Sequence, residues 1–277
     1  MSASIHTYTS PGPGSVNTHW IESPAGVVVI DAQRLLSQAR QAIAEIARSG
    51  KAVEALILTH AHPDHIGGAQ AFAEKWPSAR ILASQATIDS IRADQFGLLA
   101  LARHWLGEDF AIPAPVEALA EGSHELAGLA LEARDLGPGE APSMTVLYFA
   151  EARALFAADV VCNGMTPFLA ERRTSMWLAQ LDRIAAAFPQ ARTVYPGHGA
   201  SGEASALIGR TREYLTRLRG LVASKIAKSR ELTPEIRNEL LREIEGLYPD
   251  YPPVAAIPDM LGMNVEGVWG ELIDSKG

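Results

Sequence analysis

A short apolar run, Ala55-Leu56-Ile57-Leu58, leads directly into Thr59-His60-Ala61-His62-Pro63-Asp64-His65. The run reads as a buried strand, so the fold must place the end of a rigid element beside three imidazoles and a carboxylate. Along an extended segment side chains alternate faces. His60 and His62 are therefore expected to point the same way while Ala61 points away, with Asp64 and His65 following on a turn. Imidazole nitrogen and carboxylate oxygen are ligands that suit zinc, iron and manganese. Two adjacent subsites are predicted, one from His60 and His62 and one from Asp64 and His65. The competing reading is a solvated turn of hydrogen-bonded histidines. Clustering argues against it, because three of the eight histidines fall within six residues with an aspartate among them.

Strands and helices alternate around this motif. Val16–Ile21 and Gly26–Asp31 read as two strands joined by the Ser23-Pro24-Ala25 turn. Leu35, Ala39, Ile43 and Ile46 recur at near-helical spacing, and Gly50 ends that segment. A further helix is predicted from Ala69 to Trp76, then a strand at Arg80–Ala83. This order fits a layered α/β architecture. Beyond residue 203 the chain changes character. Ala204 to about Lys228 reads as one long amphipathic helix, and Thr233-Pro234-Glu235 opens another. The stretch from Tyr248 to Pro253 breaks helix, and Asn264–Ile273 is predicted helical again. No linker rich in glycine or serine precedes this tail, so it is expected to pack rather than swing freely.

His-x-His-x-Asp-His after a strand, followed by Ile66-Gly67-Gly68, resembles the signature of the metallo-β-lactamase superfamily of metal-dependent hydrolases. Two later segments carry the resemblance. Ala154-Leu155-Phe156-Ala157-Ala158-Asp159 is similar to the strand ending in a bridging aspartate, and Val194-Tyr195-Pro196-Gly197-His198-Gly199 to the strand ending in the last histidine. The similarity covers about residues 14 to 202. One position departs from the pattern: where many relatives read Gly-Pro-Gly-His-Thr, this chain reads Gly137-Pro138-Gly139-Glu140-Ala141 before the strand-like Met144–Phe149. Glu140 thus stands where a third histidine of the first subsite is expected. A carboxylate binds zinc, and a His-His-Glu set with an open position occurs in other zinc enzymes. Its charge should make a bound water less acidic than three neutral imidazoles would. The alternative is an exposed loop residue beside a weak first subsite.

The resemblance implies an αββα sandwich with helices outside and metals at one edge, carrying a C-terminal helical extension. Residues 1–202 would be the catalytic domain and residues 203–277 the extension packed on it. The implied metal ligands are His60, His62, Asp64, His65, Glu140, Asp159 and His198, holding two zinc ions per chain, with iron or manganese as alternatives. Asp31 stands where relatives have Asp-Thr-Gly. It is expected to orient the metal-binding loop, and a cap on the helix beginning near Arg34 is a second role that does not exclude the first. Asp64 and Tyr195 are the candidate catalytic residues, Tyr195 as an oxyanion donor if its hydroxyl points inward and otherwise an ordinary strand aromatic. Trp20, Met165, Phe168 and Trp177 either line an apolar pocket or belong to the core. His19, alone within a strand, reads as a packed or surface residue rather than a ligand. Cys162 reads as a small buried side chain that has no partner for an internal disulfide.

Two metals sharing Asp159 and a water would lower the pKa of that water, while one of them polarises a substrate carbonyl. The expected function is hydrolysis of an ester, lactone or related small molecule, with a lactonase or general ester hydrolase favoured. A β-lactamase is disfavoured by Glu140 and by the lack of a secretory signal, and a thioesterase by the lack of an evident basic glutathione site. Readings of another class are a di-iron redox enzyme and a non-catalytic metal-binding protein with a degraded first subsite. The formal charge of −8 is spread along the chain, and no basic stripe suggests nucleic acid. No apolar stretch is long enough to span a bilayer, and a cytoplasmic location is expected. The C-terminal helices are read as a homodimer interface, a lid or core completion.

Overall fold

Strands that are apolar on both faces need cover on both, and the central strands of this chain are of that kind. The computed structural model describes residues 3–112 and 116–275 and contains two six-stranded sheets. The first holds, in spatial order, β1 (Ser4–Thr9), β2 (Asn17–Glu22), β3 (Val27–Ile30), β4 (Val53–Leu58), β5 (Arg80–Ala83) and β6 (Glu117–Ala118). The second runs from β7 (Gly122–Leu126) through β8 (Leu129–Asp135), β9 (Thr145–Phe149), β10 (Ala154–Cys162) and β11 (Thr193–His198) to β12 (Gly202–Glu203).

Period-two alternation sorts the side chains into three layers. Val28, Ile30, Ala55 and Ile57 face the second sheet and meet Leu131, Leu147, Phe149 and Phe156. Their neighbours Val27, Val29, Leu56 and Leu58 face outward, where α1 (Leu36–Ala47) and α3 (Ala69–Lys75) cover them with Ile43, Ile46 and Phe72. Leu155 and Val194 face the opposite outer layer. There α6 (Thr174–Ala187) brings Trp177, Leu181 and Ile184, and α7 (Ala204–Ile226) brings Leu207, Leu215 and Leu218. The expected αββα sandwich is the observed fold. On its first side α2 (Pro63–Ile66) follows the histidine motif, and α4 (Gln85–Ala93) and α5 (Leu98–Leu106) connect β5 to β6.

The helices after residue 203 join the outer core of the second sheet. Glu203 caps α7 by accepting from Ser205 N and Ala206 N. Thr233 caps α8 (Pro234–Leu247) by accepting from Ile236 N, with Pro234 in the first turn. The last helix, α9 (Met260–Asp274), starts earlier than its apolar stretch suggests, directly after Asp259 at φ 57°. Leu240, Ile244, Val265, Val268 and Trp269 complete the cluster around Trp177. Asn264 of α9 is buried, donating to Pro167 O at 2.7 Å and accepting from Leu169 N at 2.7 Å, which fastens the loop before α6.

Strand directions gather the chemistry at one edge. β3 and β4 are parallel, so Asp31 and the histidine motif leave the first sheet side by side. β10 and β11 are also parallel, so Asp159 and His198 come to a common end. β9 runs antiparallel to β10, which brings the loop before it, with Glu140, to that end too. Thr145 N donates to Thr59 O at 2.9 Å and joins the two sheets at this edge.

Candidate metal centre

The seven expected ligands converge, though by local routes the sequence does not reveal. β4 ends at Leu58, so His60 and His62 stand on a loop, and their rings approach to 4.8 Å at a 78° angle rather than sharing one face of a strand. Asp64 and His65 lie on the single helical turn α2, with Pro63 at its start. Asp159 sits within β10 rather than at its end. Pairing with β11 shifts on both sides of Ala158, whose φ is 44°, and such a bulge re-aims the next side chain out of the regular alternation. His198 is the last residue of β11, as expected.

Glu140 is buried, 2% exposed, so the alternative of an exposed loop residue is overturned. Its loop is tied to the start of α6. Glu140 N donates to Gln180 Oε1 at 3.2 Å, Gln180 Nε2 to Gly137 O at 2.7 Å, and Arg173 Nε to Gly139 O at 3.1 Å. Glu140 Oε1 lies 3.2 Å from His62 Nδ1, and Oε2 lies 3.8 Å from His60 Nε2.

One ligand atom from each of His60, His62, Glu140 and Asp159 lies within 4.8 Å of the others, and the same holds for Asp64, His65 and His198. Asp159 also reaches the second group, with Oδ1 3.3 Å from His65 Nε2 and Oδ2 3.2 Å from His198 Nε2. Each imidazole is held from behind through its other nitrogen: His60 Nδ1 by Thr59 Oγ1 at 2.9 Å, His62 Nε2 by Glu171 Oε1 at 2.9 Å, His65 Nδ1 by Asp31 Oδ2 at 2.8 Å, and His198 Nδ1 by Ser15 O at 2.6 Å. Partners of this kind fix ring orientation in metal sites. Asp31 does not cap α1, whose first turn has no side-chain cap. It accepts from Thr59 N and Thr59 Oγ1 as well as facing His65, and so orients the loop.

What remains at the centre is a set of atoms with nothing to bond. His60 Nε2, His65 Nε2, His198 Nε2, Glu140 Oε2 and Asp159 Oδ1 are buried without a hydrogen-bond partner among the described residues. Leaving even one such atom unsatisfied costs about 1–3 kcal/mol, and here they face one another. The residues fit divalent cations. Three carboxylates, Glu140, Asp64 and Asp159, set against two divalent ions would leave one residual positive charge.

Electrostatics agree. Burial lowers the pKa of His60, helped by the neighbouring His65 and His62. For His62 burial acts the same way, but Glu140 and then Glu171 outweigh it and raise the pKa well above the usual value. His65 is raised by Asp159, Asp31 and Asp64 against burial, and His198 is pushed up to about 10, chiefly by Asp159. Burial would raise Asp64 and Asp159, yet the facing imidazoles hold both below the carboxylate range. Glu140 is raised because burial outweighs His62. Protons thus occupy positions where a cation would serve the same carboxylates.

The sequence profile of the metallo-beta-lactamase superfamily matches residues 11–198. The chain belongs to this superfamily. Among curated proteins, it is 28% identical over 218 residues to a linear primary-alkylsulfatase of Pseudomonas sp., covering 65% of this chain and 40% of that protein. It is 32% identical over 157 residues to the alpha subunit of a 2,4-dinitroanisole O-demethylase of Nocardioides sp., covering 55% and 43%. The chain therefore spans about two fifths of the length of these curated relatives. A solved metallo-beta-lactamase family protein from Thermus thermophilus superposes with a TM-score of 0.72 at 22% identity, covering 99% of this chain and 94% of its own. The stereoselective inverting sec-alkylsulfatase Pisa1 from Pseudomonas sp. superposes with a TM-score of 0.65 at 17% identity, covering 95% and 48%.

Within this superfamily site, other expectations sort unevenly. Tyr195 is not brought to the cluster: its ring stacks on Phe156 at 4.9 Å and meets His19 edge-on at 5.5 Å, between the sheets. His19 is a packed residue, bonded to Thr7 Oγ1 and Pro196 O. Of the four aromatic or thioether candidates only Phe168 borders the site cavity, edge-on to His62 at 5.9 Å. Trp20 stacks on His6, Trp177 donates to Val160 O, and Met165 lies in the core. Cys162 is buried, with Sγ 3.7 Å from Asp159 O. Sequence reasoning missed Glu171 and Arg34, and it missed the apolar cavity walls on α5 and in Val254–Ile257. The amphipathic pattern of Leu98-Leu99-Ala100-Leu101-Ala102 was the one signal available for the walls.

Proposed function

We propose that this chain is a metal-dependent hydrolase that cleaves an ester-type bond in a small molecule with an apolar portion. The supporting observation is a cavity of about 240 Å³ that His62, Asp64 and Asp159 border together with Leu98, Leu101, Trp105, Phe168 and Ile257. A polar centre at one side of an apolar cleft suits a substrate whose tail is held by burial while its reactive group meets the centre. His60, His62 and Glu140 would hold one ion, Asp64, His65 and His198 the other, with Asp159 between them. Two zinc ions are the expected metals, with iron or manganese as alternatives. The ions would supply Lewis-acid polarisation and a water of lowered pKa. The apolar walls orient the tail and exclude bulk water, which strengthens charge interactions at the centre.

A carboxylic ester or lactone is the leading substrate. The second reading is an alkyl sulfate ester, supported by the name of the Pseudomonas relative. Elemental analysis of protein purified without added metal, paired with hydrolysis of esters, lactones and alkyl sulfates of matched chain length, tests both. Two zincs per chain are expected, with turnover that rises with chain length. Glu140→Ala should lower the metal content to one ion, and His62→Ala should cost roughly 100-fold or more in rate. Predominant iron would favour a redox enzyme. Unchanged metal content in Glu140→Ala would remove Glu140 from the ligand set, and full activity in His62→Ala would defeat the reading.

A further inference from the structure

Arg34 borders the same cavity as His62 and Asp64. Its Nε is buried and has no hydrogen-bond partner among the described residues. The chain carries 32 acidic residues against 24 lysines and arginines, yet no carboxylate among the described residues forms an ion pair with this guanidinium. A Cβ added to Gly14 would lie 2.9 Å from Arg34 Nη1, 2.9 Å from Ala256 N and 3.3 Å from Val254 O, so the head group and the segment that forms one cavity wall both lie against the Gly14 turn. On its C-terminal side the chain turns into α1, and Arg34 O abuts Gly67 just after the ligand motif.

A partly buried cation is costly unless a counter-charge reaches it. Most of the other side chains around it in the cavity are apolar. The carboxylates there, Asp64 and Asp159, face His65 and His198 across the metal centre. A guanidinium that borders a largely apolar cleft, with its Nε unpartnered and no ion pair among the described residues, is complementary to an oxyanion, which a guanidinium can take by two parallel hydrogen bonds. We infer that Arg34 is a specificity-determining residue that binds a negatively charged oxygen head group, making the preferred ligand a single-tailed anionic amphiphile. This rests on the proposed use of the cavity for substrate. The shared chemistry is an oxyanion at the end of an alkyl chain, whether sulfonate-like or carboxylate.

The test is calorimetric titration of metal-loaded protein with decanesulfonate, decanoate and decanol, none of which contains a bond to be hydrolysed. In the unaltered chain at least one anion should bind about 10- to 100-fold more tightly than decanol. The anion that does so identifies the source of the charge. Arg34→Gln should abolish that preference while leaving decanol affinity and metal content unchanged, and Arg34→Lys should keep part of it. The inference is overturned if Arg34→Gln leaves the preference intact, or if decanol binding falls in parallel in both variants, which would mark a structural role. A chain that hydrolyses no ester but keeps an Arg34-dependent anion preference would refute the proposed reaction alone. A chain that hydrolyses esters with no such preference would refute this inference alone.

Discussion

His65 and His198 stand on a helical turn and on the last residue of a strand, whereas His60, His62 and Glu140 stand on loops. The supports differ in the same way. Behind the first pair are Asp31, itself bonded to Thr59 N, and the backbone carbonyl of Ser15. Asn17 of β2 adds bonds to Pro196 O and Gly199 O at 2.9 and 2.8 Å, pinning the end of β11 from the facing sheet. Behind His62 and Glu140 the supports are mainly side chains, Glu171, Arg173 and Gln180, from α6 and the loop before it. Regular elements preorganise the second subsite, while the first is assembled from loop to loop. Preorganised ligands lose less freedom on binding, so the second ion should be the more tightly held.

The largest effect should come from breaking the rigid half. A Cβ at Gly197 would collide with Asp159 Oδ1 and fall 2.7 Å from His65 Cε1, inside the second subsite. Gly197→Ala must therefore displace two of the proposed ligands, and a misplacement of this size costs activity by about 100-fold or more. Gly209→Ala, on α7 with nothing within 4 Å of the added methyl, is the control and should leave activity unchanged. Metal analysis should find the Gly197→Ala protein depleted in its tighter ion. Retention of both ions at normal activity would show that the close packing around Gly197 is not what fixes this subsite.

Next in size is a pH effect that sharpens the same contrast. In chelator-treated protein His198 is raised from 6.5 to about 10, so its stabilisation is fully present below pH 6.5 and lost as pH rises through about 10. Asp159 is lowered from 3.8, so its contribution is present above that value and lost as pH falls. Metal must displace the His198 proton, and affinity should rise about tenfold per pH unit for each proton released. Melting temperatures of chelated and loaded protein should therefore diverge from pH 6 to pH 10, the chelated form falling and the loaded form holding. A constant gap across that range would contradict proton displacement at His198.

The same contrast governs what the sequence reveals. The Leu58 to His65 run is legible because its ligands are neighbours in sequence. Asp159 and His198 become legible through strand-end patterns that resemble the superfamily. The apolar alternation at Val27–Ile30 and Ala55–Leu58 already requires cover on both faces, and the sandwich follows. Glu171 is not legible, because it meets His62 across 109 residues and nothing local distinguishes it from any loop glutamate. The bulge at Ala158 is invisible for a related reason, since pairing register is set by the partner strand. Tyr195 could be read either way because parity alone does not say which layer a strand residue serves, and here Val194 takes the outer layer while Tyr195 faces Phe156. Arg34 is informative only through what is missing around it, a property of the packed chain.

The smallest expected effect falls on the loop-built half. Glu171 Oε1 holds His62 Nε2 at 2.9 Å, and its other oxygen is bonded to Arg173, which also donates to Gly139 O beside Glu140. One carboxylate thus links His62 to the loop that carries Glu140. Burial would raise the pKa of Glu171, but His62 and Arg173 outweigh it and keep the group ionised. Glu171→Gln keeps an acceptor for His62 while removing the charge that fixes the ring and anchors Arg173. Loss of such an outer partner costs about 10- to 100-fold in metal affinity, and the milder end is expected because the acceptor survives. The loss should be confined to the first ion. Competition with a chromophoric chelator would resolve two affinities in both proteins, with only the weaker one shifted in the variant. An equal shift in both would mean that the two subsites are mechanically one, joined through Asp159, and that the division between rigid and loop-built halves does not govern binding.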